Sequence, residues 1–104
     1  DQPRSRGLGD VYKRQADVAI IGACGLTAEY GLTVTTHEDA QVKRAAISAA
    51  TRVVLAATGD KLSRTSSFRF GTLADIDDVV TTPDAPSFAL DAFAEADVRV
   101  HIHQ

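Results

Sequence analysis

Three short runs rich in β-branched residues limit the fold most strongly: 17–23 (DVAIIGA), 52–57 (RVVLAA) and 79–81 (VVT). Each is too short and too continuously apolar for an amphipathic helix, which is the pattern of a strand buried in a sheet. A helical stretch separates the first two, and a second follows the third. Thr36 is placed to cap a helix, with Asp39 three residues on and Glu38 favourable in the first turn. Ala40, Lys43, Ala46, Ile47 and Ala50 then follow at three- and four-residue spacing, Lys43 contributing its apolar stem. Pro86 opens a second helix whose apolar side is Phe88, Leu90, Ala92, Phe93 and Ala96. Residues 67–71 alternate as an edge-proximal strand. In the last strand Val98, Val100 and Ile102 alternate with Arg99, His101 and His103. Strand, helix, three strands, helix and strand in that order specify an α/β fold built on a partial, largely parallel open sheet. Ligands of such sheets bind beyond the carboxyl ends of the strands, which selects the loops 22–31 and 58–66.

The first fifteen residues do not share this patterning. They hold four of the eleven basic residues and no periodic apolar spacing. Residues 5–15, SRGLGDVYKRQ, resemble the in-frame translation of a sequencing-library adapter; the competing reading is a natural basic arm. Residues 1–15 are therefore expected to be a non-native, disordered extension, and 16–104 the C-terminal part of a domain. Without them, seven basic and twelve acidic residues remain, a balance with no general attraction for nucleic acid. No apolar run approaches the roughly 20 residues of a membrane-spanning helix, so no membrane partner is expected. A single cysteine, Cys24, excludes an internal disulfide framework and fits a reducing, cytoplasmic compartment.

Few residues here invite chemistry. Gly22 and Gly25 follow a strand, where backbone can approach an anion, yet they match neither a P-loop nor a dinucleotide fingerprint. Lys61, off the end of the second strand, can offer a point charge to a phosphate; the alternative is a solvated turn lysine. Glu38, Asp39 and Lys43 are accounted for as first-turn acids and an i,i+4 ion pair. His101 and His103 share one side of a strand, but zinc needs three or four ligands and no third stands nearby, so no metal site and no cofactor are expected. Asp75, Asp77 and Asp78 read as a solvated turn, and Cys24 as a small buried residue. No spacing of Ser, His and Asp suggests a catalytic triad.

Residues 17–102 resemble the C-terminal part of the effector-sensing domain of DeoR-family bacterial transcriptional repressors. The resemblance lies in DVAIIGACGLTAEYGLT (17–33), EDAQVKRAAISAATRVVLAA (38–57), DKLSRTSSFRFGTLADIDDVVTT (60–82) and FAEADVRVHI (93–102). It implies a sensor of the isomerase- and deaminase-like type that binds a phosphorylated sugar or related metabolite. It also implies a homo-oligomer when full length, with DNA bound only through an N-terminal winged helix-turn-helix that precedes these residues. By position, Asp17, Gly22 and Gly25 match the strand and its glycine loop, Asp39 and Lys43 the acid and lysine before the central helix, and Lys61 the loop lysine. Thr58 stands at a usually acidic position and Asp60 replaces a serine. The related deaminases place a histidine after the second glycine; Leu26 stands there in this chain and cannot transfer a proton, which disfavours an enzyme and leaves no catalytic residue.

Overall fold

The structure is a computed structural model that describes residues 16–104, with side chains described from Val18 onward. The expectations for residues 1–15 lie outside the described residues. Seven strands and two helices follow in the order β1 (Ala16–Ile21), β2 (Gly25–Thr27), β3 (Gly31–Val34), α1 (His37–Ala49), β4 (Ala50–Ala56), β5 (Phe68–Gly71), β6 (Asp78–Thr81), α2 (Ser87–Glu95) and β7 (Arg99–Ile102). The strands form two sheets. One is parallel throughout, in the order β1-β4-β6-β7; the other is a small antiparallel sheet, β2-β3-β5. The α/β class and the parallel sheet thus stand as the sequence indicated.

The parallel register stacks apolar side chains in rows across one face. Ala19 lies beside Val53, and Ile21, Leu55, Val79 and Val100 form the next row. Leu26 and Leu32 of the small sheet, Ala40 and Ile47 of α1, and Ala89 and Phe93 of α2 join these residues in one core. Removing that area from water is the main force holding the two sheets together. Thr36 caps α1 as its position implies, its hydroxyl accepting from the Asp39 amide at 3.1 Å. A left-handed residue, Asp97 (φ 62°), ends α2, and the Val98 amide returns to the Phe93 carbonyl at 2.9 Å.

Three local expectations are corrected. The selected loop 22–31 is not open throughout: it contains β2, and Gly31 (φ 77°) turns the chain so that β2 and β3 pair, its missing Cβ admitting the Gly71 carbonyl. The pairing is across strands, so helical or short-range periodicity could not reveal it. Phe88 does not join the buried side of α2; it is largely exposed, while Ala89 and Phe93, four apart, face the core. Asp78 is not in a solvated turn. It begins β6 with its side chain 2% exposed.

Candidate functional site

Beyond the carboxyl ends of β1, β4 and β6 lies an open cleft of about 440 Å³, within the usual range for small-molecule sites. Gly22 and Ala23 border it from the end of β1, Ala56, Ala57 and Thr58 from β4, and Val80, Thr81 and Thr82 from β6. Lys61 and His103 complete the wall. Parallel strands end together, so three separate stretches of sequence deliver their terminal residues to one place. The lining is mostly small and apolar, with a few polar groups, as expected where shape admits a ligand and polar atoms orient it.

The segment holding Lys61 is a single 3₁₀ turn, Gly59–Lys61, closed by Lys61 N–H donating to the Thr58 carbonyl at 3.0 Å. It is pinned to the neighbouring strand, because Gly59 N–H donates to Thr82 Oγ1 at 2.8 Å and the Thr82 hydroxyl donates to Asp84. Thr58 donates to the Asp60 carboxylate, and Arg64 lies 3.5 Å from the same group. The Thr58 hydrogen bond, helped by the charges of Lys61 and Arg64, outweighs the opposing effect of burial and holds the Asp60 carboxyl below its ordinary range. The two departures noted at Thr58 and Asp60 are therefore one hydrogen-bonded unit. Lys61 itself forms no salt bridge among the described residues and is half-buried beside the cleft.

The other candidates lie elsewhere. Gly25 sits in β2, where a Cβ would meet the Arg64 carbonyl oxygen at 2.5 Å; its want of a side chain lets two backbones touch, and it does not border the cleft. Asp39 and Lys43 pair with each other at 3.2 Å on α1 and likewise stand outside the lining. Leu26 is buried at 1% exposure and packs in the core. It also borders a smaller cavity of about 280 Å³ with Leu62 and Phe88. Sequence reasoning missed Thr82, His103 and Thr81. The Thr81 hydroxyl is buried without a hydrogen-bond partner among the described residues, an uncommon condition for an interior polar atom. A signal for His103 was present: it follows the last strand at the same end as the chosen loops.

His101 does not act in the cleft. Its Nε2 lies 2.8 Å from Asp78 Oδ2. Arg52 reaches Asp78 Oδ1 with both Nε and Nη2 at 2.9 Å, and Arg99 Nε stands 3.5 Å from Oδ2. Burial raises the Asp78 carboxyl, but the His101 and Arg52 hydrogen bonds and the charges of Arg52 and Arg99 together lower it below its ordinary range. Among the described residues no three His, Cys, Asp or Glu side chains gather as a metal site would require, and no helix is long and apolar enough to cross a membrane.

Comparison with known proteins bears on this cleft. The family model of the DeoR C-terminal sensor domain matches residues 9–82, opening ahead of β1 and closing after β6. The chain is 38% identical over 65 residues to the HTH-type transcriptional repressor GlcR of Bacillus subtilis, covering 62% of this chain and 25% of that protein. It is 37% identical over 73 residues to the HTH-type transcriptional regulator GlpR of Haloferax volcanii, covering 68% of this chain and 29% of that protein. The chain spans about a quarter of the length of these curated relatives.

Proposed function

Because the chain belongs to the family of DeoR C-terminal sensor domains, we propose that its cleft binds the effector of a transcriptional regulator, a phosphorylated sugar or related metabolite. The observation that carries this reading is the convergence of Gly22, Thr58 and Lys61 on one open cleft at the carboxyl ends of parallel strands. Lys61 supplies the cation for an anionic group, while the small residues Gly22, Ala23 and Ala56 leave room for the rest of the ligand. Gly25, Asp39 and Lys43 act at one remove, Gly25 by letting the loop after Lys61 pack against β2.

Residues 16–104 are the C-terminal part of the sensor in this reading, and DNA is bound by a winged helix-turn-helix elsewhere in a cytoplasmic, homo-oligomeric regulator. A sensor requires only that the effector bind two conformations unequally, a difference of about 1–3 kcal/mol in typical allosteric proteins. No proton transfer is needed, in keeping with a leucine at position 26. The test is a calorimetric titration with a panel of sugar phosphates and inorganic phosphate. Lys61→Ala should weaken binding by about 1–3 kcal/mol, the scale of a hydrogen bond to a charged group. Unchanged affinity in that variant would remove Lys61 from the site.

A further inference from the structure

Two residues beyond the core row of Ile21, Leu55 and Val79 come Ala23, Ala57 and Thr81. Strand side chains alternate, so these three continue the inward side of the sheet to the point where the core ends. All three border the cleft and form its floor. Ala23 and Ala57 pack on the core and, being small, leave the floor low. Thr81 is the polar side chain of this row. Three threonine hydroxyls border the cleft, and two of them are engaged. Thr58 donates to Asp60, and Thr82 donates to Asp84 while accepting from the Gly59 amide. Thr81 is 2% exposed, and its Oγ1 has no hydrogen-bond partner among the described residues. Its backbone carbonyl is in use, accepting from the His103 amide at 2.8 Å. Valine would fill the same volume without burying an unmatched oxygen. The hydroxyl is accounted for when a bound molecule supplies its partner.

We propose that Thr81 is a specificity-determining residue of the cleft: its hydroxyl exchanges a hydrogen bond with an alcohol group on the carbon skeleton of the ligand, while Lys61 takes the anionic group. This rests on the effector reading and deepens it, because it says which part of the molecule is read and by what. The chemistry assigns the two ends. An anionic phosphate needs compensating charge, which Lys61 offers and the floor does not, since Ala23 and Ala57 bring no cation. An alcohol is neutral and, like threonine, both donates and accepts, so it matches a buried hydroxyl without leaving a charge unpaired. The oxygen and the methyl of threonine share one Cβ, and rotation between staggered positions turns the oxygen toward whatever fills the cleft. A molecule lacking the alcohol leaves the same oxygen unmatched and is rejected for that reason. Inorganic phosphate is such a molecule.

The test is calorimetric titration of the 104-residue chain and of its Thr81→Val, Thr81→Ser and Lys61→Ala variants with ribose 5-phosphate, glucose 6-phosphate, glycerol 3-phosphate and inorganic phosphate. The unsubstituted chain should bind at least one of the organic phosphates more tightly than inorganic phosphate. Thr81→Val should weaken that organic phosphate about three- to tenfold, the scale of one hydrogen bond, and leave inorganic phosphate unchanged. Lys61→Ala should weaken both. Thr81→Ser keeps the hydroxyl and should bind the organic phosphate within about twofold of the unsubstituted chain. Urea denaturation of the same samples separates recognition from folding, because Thr81→Val should unfold at no lower a midpoint while binding less tightly. An unchanged affinity in Thr81→Val, or an equal loss for inorganic phosphate, overturns the role of Thr81 and leaves that of Lys61 standing. A lower midpoint together with weaker binding of every probe overturns it too, by assigning the hydroxyl to the fold. If no organic phosphate binds the unsubstituted chain better than inorganic phosphate does, the effector reading falls, and this inference with it.

Discussion

Gly22 and Gly25 are three residues apart, yet adding one methyl group to each should have opposite consequences. A Cβ on Gly25 would lie 2.5 Å from the Arg64 carbonyl oxygen, 2.8 Å from its carbon and 3.1 Å from Thr33 Oγ1. Two of those neighbours are backbone and cannot rotate away. The same Thr33 hydroxyl donates to the Gly25 carbonyl at 2.9 Å and accepts from the Ser66 amide at 2.9 Å, so a shift would spread into the segment after Lys61. Overpacking of this kind costs about 1–3 kcal/mol. At Gly22 the nearest atom to a new Cβ is the Ala56 carbonyl oxygen at 3.7 Å, an ordinary contact, and the backbone does not lie in the left-handed region. Alanine there should leave stability unchanged or raise it by up to about 1 kcal/mol, by restricting the unfolded chain. Urea denaturation followed by circular dichroism measures both. Phosphate titration of the same samples should show Gly22→Ala altering affinity through the methyl group placed in the cleft. Equal stability of the two variants would refute the assignment of Gly25 to backbone packing.

Acid should expose the role of Asp78. Its carboxyl is held below the ordinary value of 3.8, so its contribution is complete above that pH and disappears as pH falls through the lower folded-state value. Asp78→Asn should cost about 1 kcal/mol at neutral pH, the small end of the range because its partners are largely exposed. The stability curves of the two proteins should then converge on acidification below about pH 4, and curves that stay parallel would show that the carboxylate charge is not what matters. Thr81→Val replaces a buried, unpartnered hydroxyl with a methyl of similar shape, and should raise the denaturation midpoint by an amount equivalent to about 1 kcal/mol or more. A lower midpoint would mean that the hydroxyl is satisfied in solution.

The elements of the parallel sheet were legible because their signals are local. A run such as Val53-Val54-Leu55 declares a buried strand, and Thr36 with Asp39 declares a helix start, without reference to distant residues. The position of the cleft followed from the same information, since parallel strands joined by crossovers must end at one side. Lys61 and Gly22 were placed beside the cleft in this way, and the matching stretches of sequence pointed to the family. What the sequence left undecided depends on residues brought together from far apart. The β2-β3-β5 sheet pairs Leu32 with Gly71, and no local pattern in either segment specifies the other. Gly25 looked like a ligand-loop glycine until the fold brought the Arg64 backbone against it. Asp78 looked solvated because Asp75, Asp77 and Asp78 cluster in sequence; its burial comes from Arg52 on one neighbouring strand and Arg99 and His101 on the other. Period and capping are short-range properties that a chain carries in any conformation. Cross-strand contact, close backbone approach and the sharing of one carboxylate by two guanidinium groups and an imidazole exist only once the tertiary fold has set the register.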